Sequence, residues 1–514
     1  MIVHPQFTFI TNNGSITITA YTGTSQNVVI PCQTNGYSVT CIGPNAFMDD
    51  DFTNIIIPEG ITAIGDYAFE STLLGSITLP NSLLSIGNSA FLNCWLMTSV
   101  NFGNSLTNIG TAEDDQGVFY LTELTSVTIP NSVRTIGSWA FSIGNPSLTN
   151  VIIGTNVASI GEHVFDSDSR LPSITIPDSV TSIGSYAFGW CNSLGHAILG
   201  RGVSNLGDHA FYYDIGLANV TVPGGITNWG DYAFYNCTSL QSVTLAEGDT
   251  IIGNYAFQNC TKLTNCAIPN TVTNIGAFAF ADTSLISVTI PGSVENIGDG
   301  AYSSCTWLAN VIINPGVTSI GNGVFQNCPD FLTNVTLPNT LTSIGTNAFE
   351  YCASLLSITI PSSVTNLAAG AFFDTTFPYG IYFTGNAPTL GTNVFGSFLE
   401  EGQQPGPPYR AAISATLYYL PGTTGWSSNY GGYTDILWNP QALTGDGFFG
   451  VRTNRFGFNI NGSSNVMFVV EACTNLANPV WQALGTYTLT NSPIYFSDPR
   501  YTNYLGRFYR FSSP

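Results

Sequence analysis

Residues 173–194 read SITIPDSVTSIGSYAFGWCNSL, and the same order of apolar and polar positions returns along most of the chain, as in SVTIPNSVRTIGSWAF at 126–141 and SVTIPGSVENIGDGAY at 287–302. Leu171, Ile174 and Ile176 are apolar while Ser173 and Thr175 between them are polar. That alternation is the period of a strand with one buried face. Pro177 ends the strand, because proline has no N–H for a ladder. Val180 and Ile183 begin a second short extended piece. Gly184 is expected to turn the chain with positive φ. Ala187 and Phe188 then fall in a tight turn or a single helical turn, with the phenylalanine as the bulky core knob. An aromatic residue ends the motif Ile-Gly-x-x-Ala-Phe in sixteen copies from Phe47 to Phe395, with tyrosine only at Tyr302. Spacings are mostly 22 or 23, twice 24 and once 28, the long one carrying the insertion TAEDDQG at 111–117. A period near 23 predicts a solenoid, since one such unit cannot bury its apolar face alone. Stacked units pair their strands in parallel, about 4.8 Å apart.

The elements Ile-Thr-Ile-Pro, Ser-Ile-Gly, Ala-Phe and Cys-x-Ser-Leu, all present in 173–194, resemble the bacterial-surface (BspA-like) leucine-rich repeat over about residues 40–400. The resemblance implies a cell-surface or secreted, non-enzymatic protein that binds host proteins or other cells. The expected fold is mainly β: a leucine-rich-repeat solenoid of about sixteen units with parallel strands, an N-terminal β cap and a small C-terminal β-sandwich-like domain.

The boundaries follow from where the pattern stops. Residues 1–41 read as the cap, with a turn at Asn12-Asn13-Gly14 between alternating strands. The solenoid covers 42–400. Residues 401–445 form a linker and closing rung, with strand-like runs in ATLYYLPG (415–422) and TDILW (434–438). From 446 the repeat is gone and runs such as RFGFNI and VMFVVEA indicate a separate β domain, 446–514, which resembles C-terminal modules of other secreted bacterial repeat proteins.

Composition narrows the function. Only 8% of residues are charged, yet 44% are hydrophobic and 13% aromatic, enough apolar matter for a folded chain. The net charge is −21, and Lys262 is the single lysine, so no basic patch exists to bind nucleic acid. The last segment differs: 446–514 carries five arginines and three acids, net +2, which leaves −23 on the rest. Those arginines either dock the domain on the acidic solenoid or attach the chain to an anionic envelope. No apolar run reaches the length of a membrane span. The start MIVHPQFTFI lacks the features of a signal peptide, so a trimmed secreted chain or a cytosolic one is expected, and the composition favours the former.

Of the eleven cysteines, Cys94, Cys191, Cys237, Cys260, Cys305, Cys328 and Cys352 each follow an anchor aromatic by three residues. They predict a buried packing column, not disulfides. Cys32 and Cys41 flank a turn at Asn35-Gly36 and are candidates for a bond across a cap hairpin. With four histidines and no Cys-x-x-Cys, no metal site or cofactor is expected.

Three candidate sites remain. Two residues before the anchor, seven consecutive units hold Trp139, His163, Tyr186, His209, Tyr232, Tyr255 and Phe278, whereas later units hold Gly300, Gly323, Asn347 and Gly370. Six strand spacings make this a stripe about 29 Å long. Rings with polar tips stack on sugars and anchor protein partners, and the competing explanation is rung-to-rung packing. The outward strand positions Thr175, Thr221, Thr244 and Thr289, each preceded two residues earlier by Ser or Asn, form a second candidate surface. Threonine also simply suits exposed strands, and Ile152, Ile198, Ala267 and Ile312 interrupt the row, against an ice-binding array. The acidic insertion Glu113, Asp114, Asp115 offers oxygen ligands for calcium but lacks the spaced loop pattern, so a solvated loop is the simpler reading. No nucleophile elbow, phosphate loop or metal signature marks an enzyme. The expectation is an extracellular or cell-surface binding protein for a glycan or protein ligand. The alternative is a matrix, layer or filament component that self-associates head to tail.

Overall fold

The computed structural model describes residues 6–514 except 13, 112–115, 143–146, 397–415, 428, 491–492 and 505. The fold is a mainly β solenoid of about sixteen turns, with no α-helix among the described residues. The chain divides into two compact units, Met1–Ile286 with Ile297–Cys305, and Ser287–Asn296 with Thr306–Pro514.

In the first unit each rung contributes a three-residue strand such as Ser173–Thr175 and a two-residue strand such as Ser182–Ile183. Strands of successive rungs pair in parallel without slip: Ser173 faces His196, Ile174 faces Ala197 and Thr175 faces Ile198. The middle residue of the longer strand is buried and its two neighbours are exposed. The period-two pattern requires this when one wall faces the core. The anchor rings form the spine. From Phe47 to Tyr302, twelve rings stack at centroid spacings of 5.0–5.6 Å. All are fully buried. At the N-terminal end the hairpin Phe7–Asn12/Ser15–Tyr21 adds its second strand in parallel to Tyr37–Ile42.

Two expectations are corrected here. Gly184 does not have positive φ; it lies where an added Cβ would stand 2.5 Å from the carbonyl carbon of Gly161 in the preceding rung. Glycine is therefore required by close backbone approach, and the left-handed turn falls two residues later, at Tyr186 (φ 53°). Cys32 and Cys41 are both free. The turn at Asn35-Gly36 forms, but its hairpin sets Val39 N–H on the Cys32 carbonyl (3.0 Å), so Cys41 lies beyond Cys32's partner.

The buried cysteines do more than fill space. Cys191, Cys237 and Cys260 each donate Sγ–H to the carbonyl of the preceding rung's anchor, at 3.1–3.2 Å. Asp168 and Asp214 occupy the same position in their rungs and are fully buried. Burial holds both carboxyls well above the ordinary carboxylate range.

In the second unit the rung sheet Ser357–Ile360, Gly380–Phe383, Leu417–Tyr419 and Asp435–Leu437 is parallel throughout. Anchors Phe325, Phe349, Phe372 and Phe395 stack at 5.2–5.7 Å. Two antiparallel sheets follow. One joins Gln441–Leu443, Gly450–Arg452, Arg455–Asn461 and Ile494–Asp498; the other joins Met467–Cys473, Gln482–Thr488 and Phe508–Ser512. Their core of Phe458, Ile460, Phe468, Val470 and Phe496 is continuous with Tyr382 and Tyr418 of the rung sheet. Tyr418 donates to the Asn465 carbonyl (3.1 Å), and the Trp438 indole donates to that of Met467 (3.1 Å). The arginines play no part in these bonds. Arg507 pairs with buried Asp498 (2.6 Å) and Arg510 with Glu471 (2.7 Å), both inside the domain.

Candidate functional site

The seven stripe residues sit in the turn wall of successive rungs of the first unit. Each donates its backbone N–H to the next rung, as Tyr186 does to the Asp208 carbonyl (3.0 Å) and His209 to that of Asp231 (2.8 Å). All seven have left-handed backbones, with φ between 52° and 60°. Glycine or asparagine tolerates that conformation, whereas other L-residues lose about 1–2 kcal/mol there. Trp139, His163, Tyr186, His209, Tyr232, Tyr255 and Phe278 nonetheless accept it, and their half-buried rings form one stack. Successive centroids lie 3.8, 4.8, 4.4, 4.7, 4.4 and 5.3 Å apart, with planes within 11° of parallel. At its far end Phe278 overlies Gly300, where an added Cβ would meet the ring at 2.4 Å. A side chain at 300 would displace the last ring.

Stacking returns about 0.5–1.5 kcal/mol per pair. Six pairs return about 3–9 kcal/mol against about 7–14 kcal/mol for seven left-handed backbones, so the two terms are of similar size. The stack also fixes how they can be used: neighbours cover the ring faces, so edges and polar tips meet solvent.

A second layer of rings lies against the stripe. Trp190 stacks on Tyr186 at 5.6 Å, and Tyr212 meets His209 edge-on at 4.9 Å. Tyr235 stacks on Tyr212 at 5.3 Å. Tyr213 closes on Tyr212 at 4.6 Å. The sequence signal was present in Phe211-Tyr212-Tyr213 and Phe234-Tyr235, but these rings follow the anchor by one or two residues and form no regular column.

Acidic groups border the rings. His163 Nδ1 lies 2.8 Å from Asp166 Oδ2. Asp208 accepts the Asp231 N–H, and Asp231 accepts the Asn254 N–H, both at 2.9 Å. Burial lowers the pKa of His209, against the pull of Asp208 and Asp231. Burial raises that of Tyr186, with Asp166 and Asp208 adding to it. The wall thus presents hydrogen-bonding tips among carboxylates.

The threonine row lies on another wall. Thr175, Thr221 and Thr244 are exposed on one five-stranded sheet, with Ile198 and Ala267 in the same row. Thr289 belongs to the second unit, where it pairs with Ile312. Glu113, Asp114 and Asp115 lie outside the described residues. Among the described residues, no cluster of His, Cys, Asp or Glu is arranged to hold a metal ion, and no helix is long and apolar enough to cross a membrane.

No curated protein matches the chain. Among solved structures, a leucine-rich repeat protein from Bacteroides ovatus is 21% identical, covering 85% of this chain and 100% of its own, with a TM-score of 0.45. A leucine rich cell surface protein from Faecalibacterium prausnitzii is 22% identical, covering 75% of this chain and 94% of its own, with a TM-score of 0.32. The pneumococcal vaccine antigen PcpA is 20% identical, covering 74% and 91%, with a TM-score of 0.40. The pattern of the BspA type leucine rich repeat region matches overlapping segments at residues 40–169, 114–241, 159–283, 227–331 and 273–400. These segments span most of the 514 residues. The chain belongs to the BspA type leucine-rich repeat family.

Proposed function

We propose that this chain is a non-enzymatic binding protein of the bacterial cell surface or exterior, and that the turn wall carrying Trp139, His163, Tyr186, His209, Tyr232, Tyr255 and Phe278 is its contact surface. The carrying observation is the seven-ring stack on left-handed backbone, confined to consecutive rungs and reinforced by Trp190, Tyr212, Tyr213 and Tyr235. Rigid aromatic side chains supply contact area with little entropy left to lose, which suits an adhesive surface. The ligand is a glycan or a protein that meets ring edges, tyrosine hydroxyls and the bordering carboxylates. The row of Thr175, Thr221 and Thr244 is a secondary contact surface on its own wall of the first unit, and Thr289 is the corresponding contact residue in the second unit.

The test is a glycan and matrix-protein array on the purified chain, followed by the triple variant Trp139→Ala, Tyr186→Ala, Tyr232→Ala against whatever binds. Loss of at least about tenfold in affinity is expected, since central aromatic anchors typically account for 2 kcal/mol or more each. Unchanged affinity in a triple variant with native circular dichroism rejects the assignment.

A further inference from the structure

The terminal domain carries two arginines that face each other across a hairpin. The strands Gly450–Arg452 and Arg455–Asn461 form a hairpin through Thr453 (φ 47°) and Asn454 (φ 59°). Its register sets Arg452 directly opposite Arg455. Like charges facing each other across a strand pair oppose pairing, so nothing about folding calls for two arginines here. No acid of the domain forms an ion pair with them among the described residues, although the charge of Arg452, after the hydrogen bond from the Phe448 N–H, helps to lower the pKa of exposed Asp446. Asp498 is taken by Arg507 and by the Tyr509 hydroxyl (2.8 Å), and Glu471 by Arg510. Asp446 is turned to the Phe448 N–H (2.9 Å) and Asn459 Nδ2 (2.7 Å). Among the described residues, neither Arg452 nor Arg455 has a carboxylate within 4.0 Å. Arg452 is steadied by the Gly447 carbonyl and lies 4.8 Å over the Phe448 ring, while Arg455 is exposed.

The surroundings are shaped as well as charged. Tyr495, 43% exposed, lies across Gly457, where an added Cβ would stand 2.4 Å from its hydroxyl. Phe448, 46% exposed, meets Tyr495 edge-on at 6.2 Å. Together with Thr453 and Ser497 these residues line a groove of about 580 Å³. Guanidinium groups bind carboxylates through paired N–H donors, and an exposed ring offers a flat apolar face. Nucleic acid and other dense phosphate polymers gain affinity by engaging many cations, and two arginines are too few. The −23 on the remainder of the chain is screened beyond about 8 Å at physiological salt, so contact groups decide. We propose that this groove binds an acidic polysaccharide of the uronate class, with Arg452 and Arg455 on a sugar carboxylate and Tyr495 against a sugar face.

Affinity electrophoresis and calorimetry of the full chain with polygalacturonate test this. Binding is expected, weakened at tenfold higher salt and absent with the fully methyl-esterified polymer. Arg452→Gln with Arg455→Gln should reduce affinity at least about tenfold. Arg500→Gln, an exposed arginine outside the groove, should leave it unchanged. Ser497→Glu, which retains both arginines but adds a competing carboxylate, should also abolish binding. The double Gln variant should keep or raise Tm, because a repulsive pair is removed. The proposal is overturned if the parent chain does not bind, if the double variant or the methyl ester binds equally, if polyphosphate competes as well as polygalacturonate, or if the double variant loses Tm along with binding.

Discussion

Tyr255 sits at φ 57° with rings stacked on both faces. Its two energetic terms oppose each other, and substitutions separate them. Tyr255→Ala loses two stacking pairs and keeps the left-handed backbone, a loss of about 1–3 kcal/mol. Tyr255→Gly loses the same pairs but relieves the backbone, so it should be about 1 kcal/mol more stable than the alanine variant. Chemical denaturation of both variants checks the order; alanine ahead of glycine would show that the turn is not left-handed in solution. Asp168 makes a second residue-scale case. Both its carboxylate oxygens are buried without a hydrogen-bond partner, and burial, then Asp166, pushes its pKa well up from 3.8. The folded chain therefore keeps a proton that the unfolded chain releases near pH 4. Stability is greatest below that point and falls as pH rises towards the folded pKa, by up to about 1.4 kcal/mol per pH unit for each such group. Asp168→Asn, which keeps the shape without the proton, should flatten the fall in denaturation midpoint between pH 5 and pH 8. An unchanged slope would show that Asp168 is ionised in the fold.

At the scale of one rung, the stacking distance rests on the glycine after the second strand. Gly184 and Gly207 each bring backbone against backbone, with an added Cβ only 2.5 Å from the rung before. Gly184→Ala should therefore destabilise the first unit by about 1–3 kcal/mol through forced backbone displacement. Gly75→Ala serves as the contrast: nothing lies within 4 Å of its added Cβ and its φ is not positive, so it should be neutral or gain up to about 1 kcal/mol from a less flexible unfolded chain. Equal effects would mean that glycine serves flexibility and not contact. The same comparison shows what the sequence discloses. Alternation at Ser173, Ile174 and Thr175 and the recurring Phe188 reveal strand and spine, because burial imposes a period that composition displays directly. The stripe was legible for the same reason. The motive for Gly184 was not, since tight approach and positive φ both select glycine. Rung-to-rung packing of the stripe was offered by the spacing as the competing explanation, and the rings do stack; their face-to-face geometry depends on the left-handed turn at Tyr186. The free Cys41 depends on which carbonyl meets Val39, a register that spacing alone leaves open. Arg510 meets Glu471 only once distant strands pair, and Arg507 meets Asp498 only once the intervening loop folds back.

For the whole molecule, a repeat array must end somewhere, and in the second unit the end is covered by a domain. The rung sheet continues to Asp435–Leu437, and Tyr382 and Tyr418 point from it into the terminal core at 5% and 6% exposure. The last residues return to the same sheet, where Ser357 donates to the Pro514 carbonyl and Thr359 meets Ser513 at 3.1 Å. Two aromatic side chains bury on the order of 300–500 Å², and with Trp438 beside them the uncovered patch would rank among the largest that soluble monomers expose. Deleting 446–514 should therefore uncover Tyr382, Tyr418 and Trp438, with increased binding of a hydrophobic dye and concentration-dependent association in light scattering. Tyr382→Ser with Tyr418→Ser in the shortened chain should suppress that association if those rings are its cause. A shortened chain that stays monomeric and binds no dye would mean that the domain does not serve as the solenoid's cover. Its reason for being there would then lie in its own surface, where Arg452, Arg455 and Tyr495 stand exposed.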